Sequence, residues 1–228
     1  MSQHPAQIAD DRSARTTVAF LGTLGPLHTE LARYDLARLR LLVETIEPDL
    51  LGIEAGADAW ESGDPARLAI EIREAVLPAT RFTDTVVIPL GDASPDELRP
   101  PAAGTFAAQR AALVRQADRL LESAACSIDD PADLSHGRYV HLCRSVCRLE
   151  AAAAGQAGRA AWEQANDHMF HALTEAIRRD PGRRVLVAVQ CRRIHVLEAG
   201  LRASAEQLRL ARFEDLVPVA RRDRARSA

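Results

Sequence analysis

Glu54 closes the apolar run LLGIEA (50–55). Burying a carboxylate there costs several kcal/mol, so the group has either a partner or a task. The partner would be an arginine; the task would be to activate water. His28 lies three residues past Gly25 in VAFLGTLGPLHTE (18–30). An imidazole on such a turn is either a general base or an exposed turn residue. Arg192 and Arg193, followed by His195, come directly after the run RVLVAVQ (184–190). Two guanidiniums at a helix N-terminus, a place that already favours anions, either clamp a carboxylate or phosphate or are simply solvated.

The segment RAAWEQANDHMFHALTEAIRRD (159–180) suggests a metal site through His168 and His171. Laid out at 100° per residue, it answers otherwise. Trp162, Ala165, Met169, Ala172, Leu173 and Ala176 form one apolar stripe, His171 falls off it, and His168 sits at its boundary. No metal is assigned. Asn166 falls inside the stripe, and a buried amide needs hydrogen-bond partners, so it is either a structural tie or a residue aimed at a site. Cys143 and Cys147, four apart with Val140, Val146 and Ala151, read as core packing.

The elements that must position these residues are legible as four continuous apolar runs: TVAFLG (17–22), LLGIEA (50–55), TVVIPL (85–90) and RVLVAVQ (184–190). Apolar on successive residues, they are strands covered on both faces, which implies a parallel sheet. Between the first two, Leu36, Leu39, Val43 and Ile46 share one helical face that stops at Pro48, completing a βαβ unit. A second helix is expected in DPARLAIEIREAVL, capped by Asp64 with Pro65 at its first position. From 92 to 181 helical periodicity takes over, with helices near 104–124, 137–154 and 159–179 and breaks at DDPAD and AAGQAG. A helix near 194–204 and an edge strand in QLRLARF follow. The expected fold is α/β, a mostly parallel central sheet flanked by helices, with a long helical insertion before the last core strands. Residues 16–216 form one domain in this reading, 1–15 are a disordered segment, and 217–228 are a flexible basic tail. In open α/β sheets ligands bind beyond the carboxyl ends of the strands, where Thr23, His28, Glu54, Arg192, Arg193 and His195 all fall.

Composition excludes several chemistries. All 29 basic side chains are arginine, so a Schiff-base lysine and a phosphate-loop lysine are absent. GTLGPLH also lacks the G-x-G-x-x-G spacing of dinucleotide sites, and Pro26 removes a backbone donor. A net charge of −3 gives no basic excess for nucleic acid. No apolar stretch reaches the roughly 18 residues of a membrane span, and the N-terminal residues lack an apolar signal core, so the expectation is a soluble, cytoplasmic protein. The four cysteines show no C-x-x-C spacing. No cofactor is implied by these residues.

The order of FLGTLG, then IEPDLLGIEA, then AWEQANDHMFHALTEAIRRDPGRRVLVAVQCRRIHVLEAGL resembles the TraB/PrgY, Tiki, erythromycin-esterase-like and ChaN-like superfamily over most of residues 17–212. Gly22 and Thr23 match its first motif, Glu54 its second-strand glutamate, and Asn166 the polar residue of its pre-strand helix. The family's two motif histidines fall on Gly25 and Arg193, and its last glycine on Gln190, while His28 and His195 lie three and two residues away. The resemblance implies a hydrolase, of lactones with a histidine base or, in the Tiki branch, a metal-dependent protease. The expectation for this chain is a divergent member with a cleft of Thr23, His28, Glu54, Asn166, Arg193 and His195, acting on a small or peptide-like substrate. There Glu54 or His28 activates water, and Arg193, with Arg192 beside it, holds an anionic group or an oxyanion. The alternative is a non-catalytic relative that binds a small molecule or a partner protein.

Overall fold

The computed structural model describes residues 15–30, 33–91, 107–204 and 208–218; the N-terminal segment and most of the basic tail expected from sequence lie outside the described residues. The four apolar runs are strands β1 (Thr16–Thr23), β2 (Leu50–Ile53), β3 (Val86–Pro89) and β4 (Arg184–Gln190), joined by β5 (Leu208–Arg212). All pairings are parallel, in the order β3-β2-β4-β1-β5. The fold class is therefore α/β, and QLRLARF supplies the edge strand. Val185 to Val189 are wholly buried because β4 is central and covered on both faces.

Helix α1 (Leu36–Ile46) begins where the Asp35 carboxylate accepts the Arg38 N–H at 2.8 Å, and it buries Leu39, Val43 and Ile46. Its C-terminal carbonyls are held by Arg184, whose guanidinium donates to Ile46 O at 3.1 Å and Glu47 O at 2.6 Å. A cation at that end of the helix also complements the dipole. Asp49 accepts the Arg184 N–H at 2.8 Å, fixing the β2–β4 register at its start.

The stretch after β2 departs from expectation. A short helix α2 (Ala57–Glu61) precedes it, and Asp64 caps only a 3₁₀ turn, Pro65–Arg67, before Leu68 turns extended. Asp64 accepts the Ala66 N–H at 2.9 Å, a local bond that closes the turn early. The chain then makes a wide π turn, Ile72–Val76, leading into α3 (Leu77–Thr80). Pro78 explains the widening, because it has no N–H for the carbonyl four residues back and its ring would clash there.

Helices α4 (Ala107–Ala125), α5 (Ala132–Ser135) and α6 (Arg138–Arg179) follow. The AAGQAG break is a kink, with Gly155 at φ 74° inside α6; residues 92–106 lie outside the described ones. Helix α7 (Cys191–Ala203) starts directly at the end of β4, earlier than the expected 194, and α8 (Phe213–Leu216) follows β5. Val217 still packs in the core. At the end of β1, α5 lies so close that a Cβ on Gly22 would stand 2.7 Å from Leu134. Ser135 Oγ accepts the Gly22 N–H at 3.0 Å, and the Tyr34 hydroxyl donates to Gly22 O at 3.1 Å. Among the described residues no helix is long and apolar enough to cross a membrane.

Candidate functional site

The order β2-β4-β1 brings the ends of three strands side by side. Glu54, one residue past β2, reaches across to the start of α7. Its Oε2 accepts the Gln190 N–H at 2.8 Å, and its Oε1 faces Arg193 Nε at 3.5 Å. The Arg193 side chain is 1 % exposed and that of Glu54 8 %. The Arg193 guanidinium stacks 3.9 Å from the ring centroid of Trp162 on α6. Burial pushes the Glu54 carboxyl above its ordinary range, against the pull of Arg193 and the Gln190 N–H, and the charge of Glu71 adds to the rise.

Glu71 is the second carboxyl of this corner. It sits immediately before the π turn, buried, with Oε1 accepting from the Thr23 hydroxyl at 3.4 Å. Its Oε2 is enclosed and has no hydrogen-bond partner among the described residues. Burial pushes this carboxyl up as well, opposed by weaker hydrogen bonds including that from Thr23. Asn166, one helical turn beyond Trp162, donates to Trp162 O at 2.7 Å, while its Oδ1 is buried without a hydrogen-bond partner among the described residues.

Three expected residues are elsewhere. His28 is not an exposed turn residue: it is 1 % exposed within the 3₁₀ turn Gly25–Thr29. Its Nε2 accepts the Leu24 N–H at 3.0 Å, so Nδ1 carries the proton and donates to Tyr34 O at 2.9 Å. Both ring nitrogens are thereby used, the ring meets Tyr34 edge-on, and burial lowers the imidazole pKa. Arg192 does not clamp an anion from solution; it donates to Glu150 at 2.7 and 2.9 Å and to Asp118 at 2.7 Å, binding α7 to α6 and α4. His195 shares that side of α7. Burial, and then the charges of Arg144 and Arg148 on α6, lower its pKa.

Of the expected cleft, the structure thus gathers Glu54 with Arg193 and puts Thr23 on Glu71. Glu71 itself was missed, because in LAIEIREAVL it has the spacing of a solvated helical acid. The one available signal was Pro78, which marks a helical irregularity seven residues on. Trp162 was assigned to the apolar stripe with no inkling of a cation on its face. A metal, which the Tiki resemblance would imply, does not fit here: the Glu54 oxygens already face Arg193 and a backbone N–H, and a guanidinium repels a second cation. Among the described residues no group of three or more His, Cys, Asp or Glu is placed to hold one. Compared with protein-family models, curated proteins and solved structures, the chain matches none.

Proposed function

We propose that the protein is a hydrolase of a small or peptide-like substrate, a divergent relative of the TraB, Tiki and erythromycin-esterase-like proteins, working through two carboxyl groups in place of a histidine. Glu71 takes the proton of the attacking water. Glu54 holds Arg193 in place, and Arg193 receives the developing negative charge of the substrate. The observation that carries this reading is the contrast between the two buried carboxyls: each leaves one oxygen without a hydrogen-bond partner among the described residues, but Glu54 faces the Arg193 guanidinium and accepts the Gln190 N–H, whereas Glu71 is opposed in its rise only by hydrogen bonds, that of the Thr23 hydroxyl among them. Two acids in such unequal surroundings divide the roles of base and electrostatic support.

The test is a screen of ester and peptide hydrolysis with wild type and Glu71→Gln, which keeps shape and removes the base. The reading expects a turnover that falls 10²-fold or more in the variant, on the order of a lost general base. Equal turnover in both, or none in either, contradicts it. A second reading, a binding module without turnover, is favoured by His28, whose nitrogens are both occupied. It expects a ligand that binds wild type and Glu71→Gln alike and is never cleaved.

A further inference from the structure

Three of the four cysteines are buried, and only Cys126 is exposed. Cys143 belongs to α6 and Cys191 opens α7, 48 positions apart in the chain, yet their Sγ atoms stand 2.8 Å apart. That is less than 1 Å beyond the ~2.05 Å of a disulfide bond. Two thiols held in contact by separate elements have a high effective concentration for each other. Under that condition formation of a disulfide between them is favoured. Cys147, one turn along α6, does not compete. Its Sγ lies 4.0 Å from the Arg192 carbonyl, and because the thiols of Cys147 and Cys191 are both raised, it is the 2.8 Å contact of Cys143 with Cys191 that selects the pair.

We propose that Cys143 and Cys191 are an oxidation site, converted by a peroxide into a reversible disulfide that staples α6 to the first turn of α7. Cys191 is 5 % exposed and Cys143 0 %, so Cys191 meets the oxidant first. Its sulfur attacks the O–O bond of hydrogen peroxide, giving a sulfenic acid and one water. The Cys143 sulfur then displaces the sulfenic oxygen, which leaves with the Cys143 proton as a second water. The two sulfurs lose two electrons and the two peroxide oxygens gain them. A dithiol reverses the bond by exchange. The staple fixes the turn from which Arg193 reaches Glu54.

The experiment uses the full chain carrying Cys126→Ser, treated with hydrogen peroxide, then unfolded, alkylated with N-ethylmaleimide and weighed. The expected product carries one adduct, on Cys147, and yields a linked Cys143–Cys191 peptide. Its Tm is higher by about 5–10 °C, and dithiothreitol removes the rise. Three adducts after prolonged peroxide, a Cys143–Cys147 or intermolecular link, or a sulfinic acid on Cys191 without a cross-link would each overturn the proposal.

Discussion

Glu54 and Arg193 face each other at 3.5 Å across the junction between β2 and α7, both buried, with the Gln190 N–H closing the carboxylate from the other side. Each charge helps to make the other tolerable, since an isolated buried ion costs several kcal/mol. The prediction is that Glu54→Gln and Arg193→Met each destabilise the protein by about 3 kcal/mol, and that the double variant loses clearly less than the two losses added, with a coupling of about 2 kcal/mol. Urea unfolding of the four proteins checks this; strict additivity would show that the two residues do not act as a pair.

His28 makes a separate prediction, about pH. Its pKa is depressed below the ordinary 6.5 by burial, so between those two values the unfolded chain binds a proton that the folded one does not. The contribution is fully present above about pH 6.5 and is lost as the pH falls through the folded value. His28→Gln removes this pH dependence and costs about 2 kcal/mol near neutrality through its two hydrogen bonds. Thermal melts of both proteins from pH 5 to 8 read it directly. Parallel curves would contradict the neutral, doubly bonded imidazole.

Arg192 is expected to matter for stability and not for turnover. It joins Glu150 and Asp118 from two other helices, and the Glu150 side chain is only 2 % exposed. Arg192→Ala leaves that carboxylate without its guanidinium, at a cost of about 3 kcal/mol, the low end for a broken buried pair because Arg192 itself is partly exposed. Restoring stability with Arg192→Ala combined with Glu150→Leu would support the assignment; a single variant as stable as wild type would remove it.

These residues also mark how far the sequence could be read. The parallel sheet was legible because short continuous apolar runs such as RVLVAVQ, bounded by turn residues, suit strands covered on both faces, and the kink at Gly155 because the two glycines of AAGQAG weaken the helix there. Glu54 with an arginine partner was one of its two stated readings. Which arginine was not legible, since Arg192 and Arg193 differ by 100° of helix and only packing decides which turns inward. The burial of His28 and Glu71 arises from contacts invisible along the chain. His28 is held by the carbonyl of Tyr34, and Glu71 is held by Thr23, 48 positions away. Helical periodicity past Asp64 failed for a local reason, the side-chain bond to Ala66.

Thr23 offers a test of how Glu71 is oriented. Its hydroxyl donates the one side-chain hydrogen bond described for that carboxyl, and a donor to the charged form lowers a carboxyl pKa. Thr23→Val keeps the shape and removes the donor, so the Glu71 carboxyl should titrate higher still in a carbon-13 NMR titration. An unchanged midpoint would show that the bond does not hold the carboxylate.

The central claim is that Glu71 moves the proton. The measurement that bears on it most directly is the pH dependence of kcat/KM for a hydrolysed substrate, in wild type and Glu71→Gln. A base must be ionised to act, and burial raises the Glu71 pKa above the ordinary 4.5. The wild type is therefore expected to show a rising limb with its midpoint above 4.5, absent from the variant along with at least 10²-fold of the rate. A limb that survives in Glu71→Gln, or wild-type kcat/KM in that variant, would contradict it.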